Sequence, residues 1–113
     1  MIKKVTYNKL VRDKIPEMIS KDKDVEGFGV SILKPTNRHI HLQNKLKEEV
    51  EEYFNSNGSI DELVDVCEVI FSIAKYSGIN KYQLLDLIER KCDKNGGFEK
   101  FYFLTFIDRE VSE

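Results

Sequence analysis

Apolar positions through the middle of the chain fall into three helical stretches separated by glycine-containing breaks. Leu42, Leu46, Val50 and Tyr53 line one stripe, which predicts a helix over about 36–55. Asn55-Ser56-Asn57-Gly58 ends it, with Gly58 a natural terminator. Ser59-Ile60-Asp61-Glu62 reads as an S-x-x-E capping box opening a second helix, which runs to about Tyr76 and stops at Gly78. Asn80, with Gln83 three residues on, caps a third helix through Leu84, Leu85, Leu87 and Ile88 to about Asp93.

The flanks are less regular. Residues 1–15 show no clear period, and Pro16-Glu17-Met18-Ile19-Ser20 predicts a short helix with proline at its start. Lys21 to Gly29 reads as a loop. Val30-Ser31-Ile32-Leu33 is a β-prone run stopped by Pro35. After the turn Asn95-Gly96-Gly97, Phe98 to Ile107 is aromatic and β-branched enough for a terminal strand paired with Val30–Leu33. The expected class is all-α in the main, with a small β appendage.

The second helix carries two apolar rows. Ile60, Leu63, Val64, Cys67, Phe71 and Ala74 form the longer one, expected to be the main buried stripe. Val66, Val69 and Ile73 form the other, headed by Glu62 and flanked by Asp65. Three helices leave that second row short of cover, which predicts a homodimer sharing a four-helix core, the alternative cover being the chain's own β appendage.

Acidic residues cluster at the ends of the first two long helices. Glu48-Glu49-Val50-Glu51-Glu52 and Glu62-Leu63-Val64-Asp65 each place carboxylates at i and i+3, on one helix face. At about 100° per residue, Glu49 falls on the edge of the Leu42/Leu46/Tyr53 stripe with Glu52 beside it. Glu48 and Glu51 lie further away. A short connection makes the two helices antiparallel, which brings both clusters to one height beside the turn. Burying such carboxylates unpaired is costly, and a bound cation removes the cost. Oxygen-only ligation suits a hard ion such as Mg²⁺, which also binds phosphate oxygens. Each cluster has a plain alternative: a solvated helix face for the first, capping for Glu62 in the second. A helical interaction module with decorative acids is therefore a rival reading. The two clusters together favour the metal.

Composition narrows the partners. The 113 residues make one domain, with 41% hydrophobic and 34% charged residues. A net charge of −2 gives no general attraction to nucleic-acid polymers or anionic membranes. No run approaches a membrane span, and the basic start lacks an apolar signal core. Cys67 and Cys92 form no CxxC pair and are expected to be buried free thiols of a cytoplasmic protein.

At the acidic residues the chain resembles the all-α NTP pyrophosphohydrolases, the MazG-like group related to phosphoribosyl-ATP pyrophosphohydrolase and the dimeric dUTPases. Their signature is ExxE on one helix and ExxD on the next. Here these are Glu49-Val50-Glu51-Glu52 and Glu62-Leu63-Val64-Asp65. The opening Tyr7-Asn8-Lys9-Leu10-Val11-Arg12-Asp13-Lys14-Ile15-Pro16 and the turn Gly96-Gly97-Phe98-Glu99 look like a small branch associated with clearing non-standard nucleotides. Lys94-Asn95 stands where that branch tends to carry an arginine before the glycine pair. The resemblance implies hydrolysis of a nucleoside triphosphate to the monophosphate and pyrophosphate, dependent on Mg²⁺ with Mn²⁺ as an alternative. It carries Glu49, Glu52, Glu62 and Asp65 over as metal ligands and Glu48 as the residue that positions or deprotonates the attacking water. A catalytically idle nucleotide- or protein-binding member of the same fold is the runner-up.

A triphosphate also requires positive charge. Lys9, Arg12 and Lys14 crowd one short segment, and Lys45 sits one helical turn before Glu49. These four are the expected phosphate contacts, with Arg12 suited to a bidentate one. No motif selects a base or sugar.

Overall fold

Local signals at the helix ends set the architecture of this computed structural model, which describes residues 1–112. The helices are α1 (Ile15–Ser20), α2 (Pro35–Asn55), α3 (Ile60–Tyr76) and α4 (Lys81–Asn95). Proline occupies the first turn of α1 and of α2, where its missing N–H costs nothing. Asn80 and Gln83 form the expected capping box on α4, each side-chain oxygen accepting the other's backbone N–H at 2.9 Å. Among the described residues the regular structure is entirely helical, so the all-α class holds.

α2 and α3 form an antiparallel hairpin, and α4 adds a smaller contact to α3. Asn57 (φ 58°) and Gly58 (φ 83°) turn the chain through the left-handed region. The far end is tied as well. Tyr76 Oη donates to Pro35 O at 3.3 Å and its ring stacks on His39, with centroids 5.6 Å apart.

Several expectations fail here, each for a local reason. The Ser59–Glu62 capping box does not form. Ser59 holds the N-cap position without a side-chain bond, and its N–H donates to Ser56 Oγ at 3.1 Å. The donor that Glu62 was expected to satisfy is already taken by the turn. The ranking of the α3 rows is also reversed. Val66 is buried and Val69 and Ile73 are half-buried, whereas Ile60, Leu63, Val64 and Cys67 are exposed and only Phe71 and Ala74, at the far end of the longer row, are half-buried. The tight turn fixes which side of α3 meets α2, and it presents the row headed by Glu62. The Val66/Val69/Ile73 row is thus partly covered within the chain, fully only at Val66. Cys67 and Cys92 are free but exposed, since Cys67 lies on the open row. Val30–Leu33 and Phe98–Ile107 form no strand. Both are mostly exposed, Phe98–Phe101 is a turn closed by Phe101 N–H on Phe98 O with Phe101 at φ 53°, and a lone strand pair with no apolar face to lie on is marginal.

The result is an open molecule. Its Cα radius of gyration is 20.3 Å, against about 13 Å for a compact chain of this length.

Candidate metal centre

The carboxylates converge at the turn end of the hairpin. Glu49 comes from the last turns of α2, and Glu62 and Asp65 from the first turns of α3. One oxygen from each of these three lies within 4.8 Å of the others. A second group under the same limit comprises Glu48, Glu49 and Glu52, all on α2. Glu49 belongs to both. All five acids singled out in the sequence are therefore brought together.

Glu49 is the buried member, only 7% exposed. Its Oε1 lies 3.2 Å from Lys45 Nζ, while its Oε2 is buried without a hydrogen-bond partner. Glu62 Oε2 is buried and unpartnered in the same way. An orphaned buried carboxylate oxygen is expensive in a folded protein, and two of like charge on facing helices are more so. Burial pushes the Glu49 carboxyl above its ordinary pKa; Lys45 opposes the shift and Glu52 adds to it. Glu52 itself is exposed at the rim.

Cations frame the cluster. Lys45 Nζ sits 3.2 Å from both Glu48 Oε2 and Glu49 Oε1. Burial works against its ammonium, but the bonds to Glu49 and Glu48 outweigh that and raise its pKa. Lys9 reaches Glu48 Oε1 at 3.2 Å from the N-terminal segment. Glu48 thus has both oxygens engaged. Burial pushes its carboxyl up, yet Lys9 and Lys45 together hold it below the usual value. Arg12 spreads its guanidinium between Asp65 and Glu68, with 2.6 Å to Glu68 Oε2. The bond to Glu68 is the leading cause of its raised pKa, which desolvation opposes and Asp65 reinforces. Among the described residues no ion pair links Lys14 to the cluster, so of the four expected phosphate contacts three line the site.

Glu68 is the residue the sequence reading missed. It lies three positions after Asp65, extending the Glu62/Asp65 spacing by one more turn, and that spacing was visible. Counting it, six carboxylates face three cations, so the site stays strongly negative. An oxygen-only, electronegative, partly buried cluster of carboxylates suits a hard divalent cation better than a thiophilic or redox metal. No protein-family model, curated protein or solved structure matches the chain.

Proposed function

We propose that this chain is a divalent-metal-dependent nucleoside triphosphate pyrophosphohydrolase of the MazG-like kind, clearing non-standard nucleotides. One observation carries the reading: the orphaned, buried oxygens of Glu49 and Glu62 within carboxylate groups that share Glu49. Glu49, Glu52, Glu62 and Asp65 would hold Mg²⁺, or Mn²⁺ in its place. Such a cation, when bound, polarises phosphate oxygens and templates an in-line displacement. The resemblance of the two acidic motifs to this enzyme group supplies the choice of phosphate chemistry.

The chain's own groups fill the remaining roles. Glu48, held by Lys9 and Lys45 with a lowered pKa, is a poor base. It suits orienting a water as hydrogen-bond acceptor. Lys9, Arg12 and Lys45 place three positive groups beside the carboxylates, where the charge of a departing pyrophosphate must be met. Arg12 offers a planar fork for two phosphate oxygens, and Lys45 a point charge. Lys14 adds a further cation to the segment that bears Lys9 and Arg12. Attack of water at the α-phosphorus forms the new P–O bond and breaks the bond to the bridging oxygen of the β-phosphate, which leaves with pyrophosphate, while the water's proton is released to solvent.

The test is a panel of standard and damaged nucleoside triphosphates incubated with Mg²⁺, with products separated. Monophosphate and pyrophosphate are expected together. Orthophosphate as first product excludes this reaction, and absence of turnover alongside tight Mn²⁺ and nucleotide binding selects the idle binder.

A further inference from the structure

The N-terminal arm, residues 1–14, is tied to the α2–α3 hairpin by charge. The α1 helix that follows it packs on none of the other helices, and within the arm only Leu10 is as much as half-buried. Among the described residues, the side-chain bonds from the arm to the hairpin are those of Lys9 to Glu48 and of Arg12 to Asp65 and Glu68. Every partner is an acid, and two of them, Glu48 and Asp65, belong to the convergent carboxylate groups. The arm thus serves as counter-ion to the same side chains that a divalent cation would engage.

Glu68 is the partner that stands apart. It lies one turn beyond Asp65 on α3, is exposed, and is outside both carboxylate groups. Its Oε2 accepts from Arg12 Nη1 at 2.6 Å, whereas Asp65 Oδ1 accepts from Nη2. The two bonds use different nitrogens of one rigid fork, so either can break while the other holds. Glu68 also does more than Asp65 to keep the guanidinium charged.

A divalent cation among Glu49, Glu62 and Asp65 opposes one of these bonds and spares the other. It draws the charge of Asp65 to itself and repels a guanidinium on the same carboxylate. Glu68, a turn further along α3, keeps its charge for Arg12. We propose that Glu68 is a positioning residue: when a divalent cation takes Asp65, Arg12 passes from the Asp65–Glu68 bridge to Glu68 alone and turns its freed Nη2 edge to a phosphate oxygen. The arm then stays at the rim of the loaded site, where an exposed arginine without a partner would be given up to solvent. This exchange rests on the cation part of the proposed function and not on which phosphate bond is cut.

Two measurements on the full chain test it, neither of them turnover. Wild type, Glu68→Gln, Arg12→Gln and the double variant are titrated with Mn²⁺, the free ion being read by electron paramagnetic resonance. In Glu68→Gln the cation must take the sole partner of Arg12, so affinity should fall a few-fold. In the Arg12→Gln background the same substitution should change little. An equal loss in both backgrounds overturns the proposal, because Glu68 then acts on the cation as a plain charge. In the second measurement, isotope-labelled arginine reports the Arg12 Nε–H resonance, assigned by its absence from Arg12→Gln. On addition of Mg²⁺ the wild-type signal should shift yet stay distinct from that of a solvated arginine, whereas in Glu68→Gln it should move to the solvated position. A wild-type signal that does not shift, or that moves to the solvated position itself, overturns the exchange while Mn²⁺ binding keeps the cation reading intact. A wild type that binds no Mn²⁺ overturns both together.

Discussion

Glu49 on α2 and Glu62 on α3 each hold a buried Oε2 that no donor reaches, and both residues belong to one convergent carboxylate group. The hairpin therefore closes against its own charge at the turn end. Apolar packing around Val66 and the Tyr76–Pro35 bond hold the rest together. A ligand that binds only the folded hairpin and neutralises this end raises stability by linkage. Cation binding and hairpin stability should thus be measurable in one melting experiment.

Glu62→Gln tests that link. Because Glu62 is not a capping residue here, the substitution removes charge without removing a helix cap. Without divalent cation the variant should melt at or slightly above the wild-type temperature. Its Mn²⁺ affinity should fall by more than the roughly 10–100-fold typical of outer-shell changes. A clear loss of metal-free stability, with Mn²⁺ binding intact, would remove Glu62 from the ligand set.

The two serine- and asparagine-headed helices offer a matched contrast. Asn80→Ala breaks a formed capping box and should cost about 1 kcal/mol. Ser59→Ala should cost well under that, since the Ser59 hydroxyl makes no capping bond. Urea titration of both variants decides the point, and equal losses would restore the sequence-based cap.

Arg12→Gln should strengthen metal binding and weaken nucleotide binding. In the metal-free protein Arg12 holds Asp65 and Glu68, so a divalent cation at Asp65 works against a positive charge already there. Its removal should raise Mn²⁺ affinity a few-fold, an effect that shrinks with added salt because the pair is half-exposed. Lower Mn²⁺ affinity in Arg12→Gln would instead make Arg12 a support that orients Asp65.

The helices and the site residues were legible because they rest on local rules. Spacing alone placed Glu49 inward, and glycine and asparagine marked the breaks near Gly58 and Gly78. What spacing does not contain is the azimuth at which two helices meet. Two apolar rows run down α3, and length alone favours the longer one as the core. The turn chose the shorter, which aligned Glu62 with the α2 contact. The cap failed for a similar reason: Ser56 competes with Glu62 for the same N–H, and only the turn geometry reveals it. The strand expectation used side-chain preference alone, whereas pairing depends on a partner and a supporting face.

That reversal is itself testable. Val66→Ala empties space between α2 and α3 and should cost roughly 1–2 kcal/mol of unfolding free energy. Val64→Ala, on the open row, should stay within about 0.5 kcal/mol in the monomer. A larger stability loss at Val64 than at Val66 would return the longer row to the core.

Glu49 gives the most specific pH signature. Burial is the main cause of its raised carboxyl pKa, with Lys45 opposing and Glu52 adding. A carboxyl raised on folding binds its proton more readily in the folded state than in the unfolded one. Its charge therefore destabilises the fold fully above the folded pKa. That cost is relieved as pH falls through the folded value, and relief is complete below the ordinary glutamate value of about 4.3. Glu48 has the opposite sign: Lys9 and Lys45 outweigh its burial and lower its pKa, so its stabilisation is lost as pH falls. Comparing Glu49→Gln with wild type at each pH cancels the Glu48 contribution. Without divalent cation, Glu49→Gln should melt higher than wild type near neutral pH, and the gap should close towards about pH 4. With saturating Mg²⁺ near neutral pH the order should reverse, because only wild type keeps the full ligand set. A gap that stays constant across the acid range, or a wild type indifferent to Mg²⁺, would mean that Glu49 is neither strained by burial nor relieved by a cation.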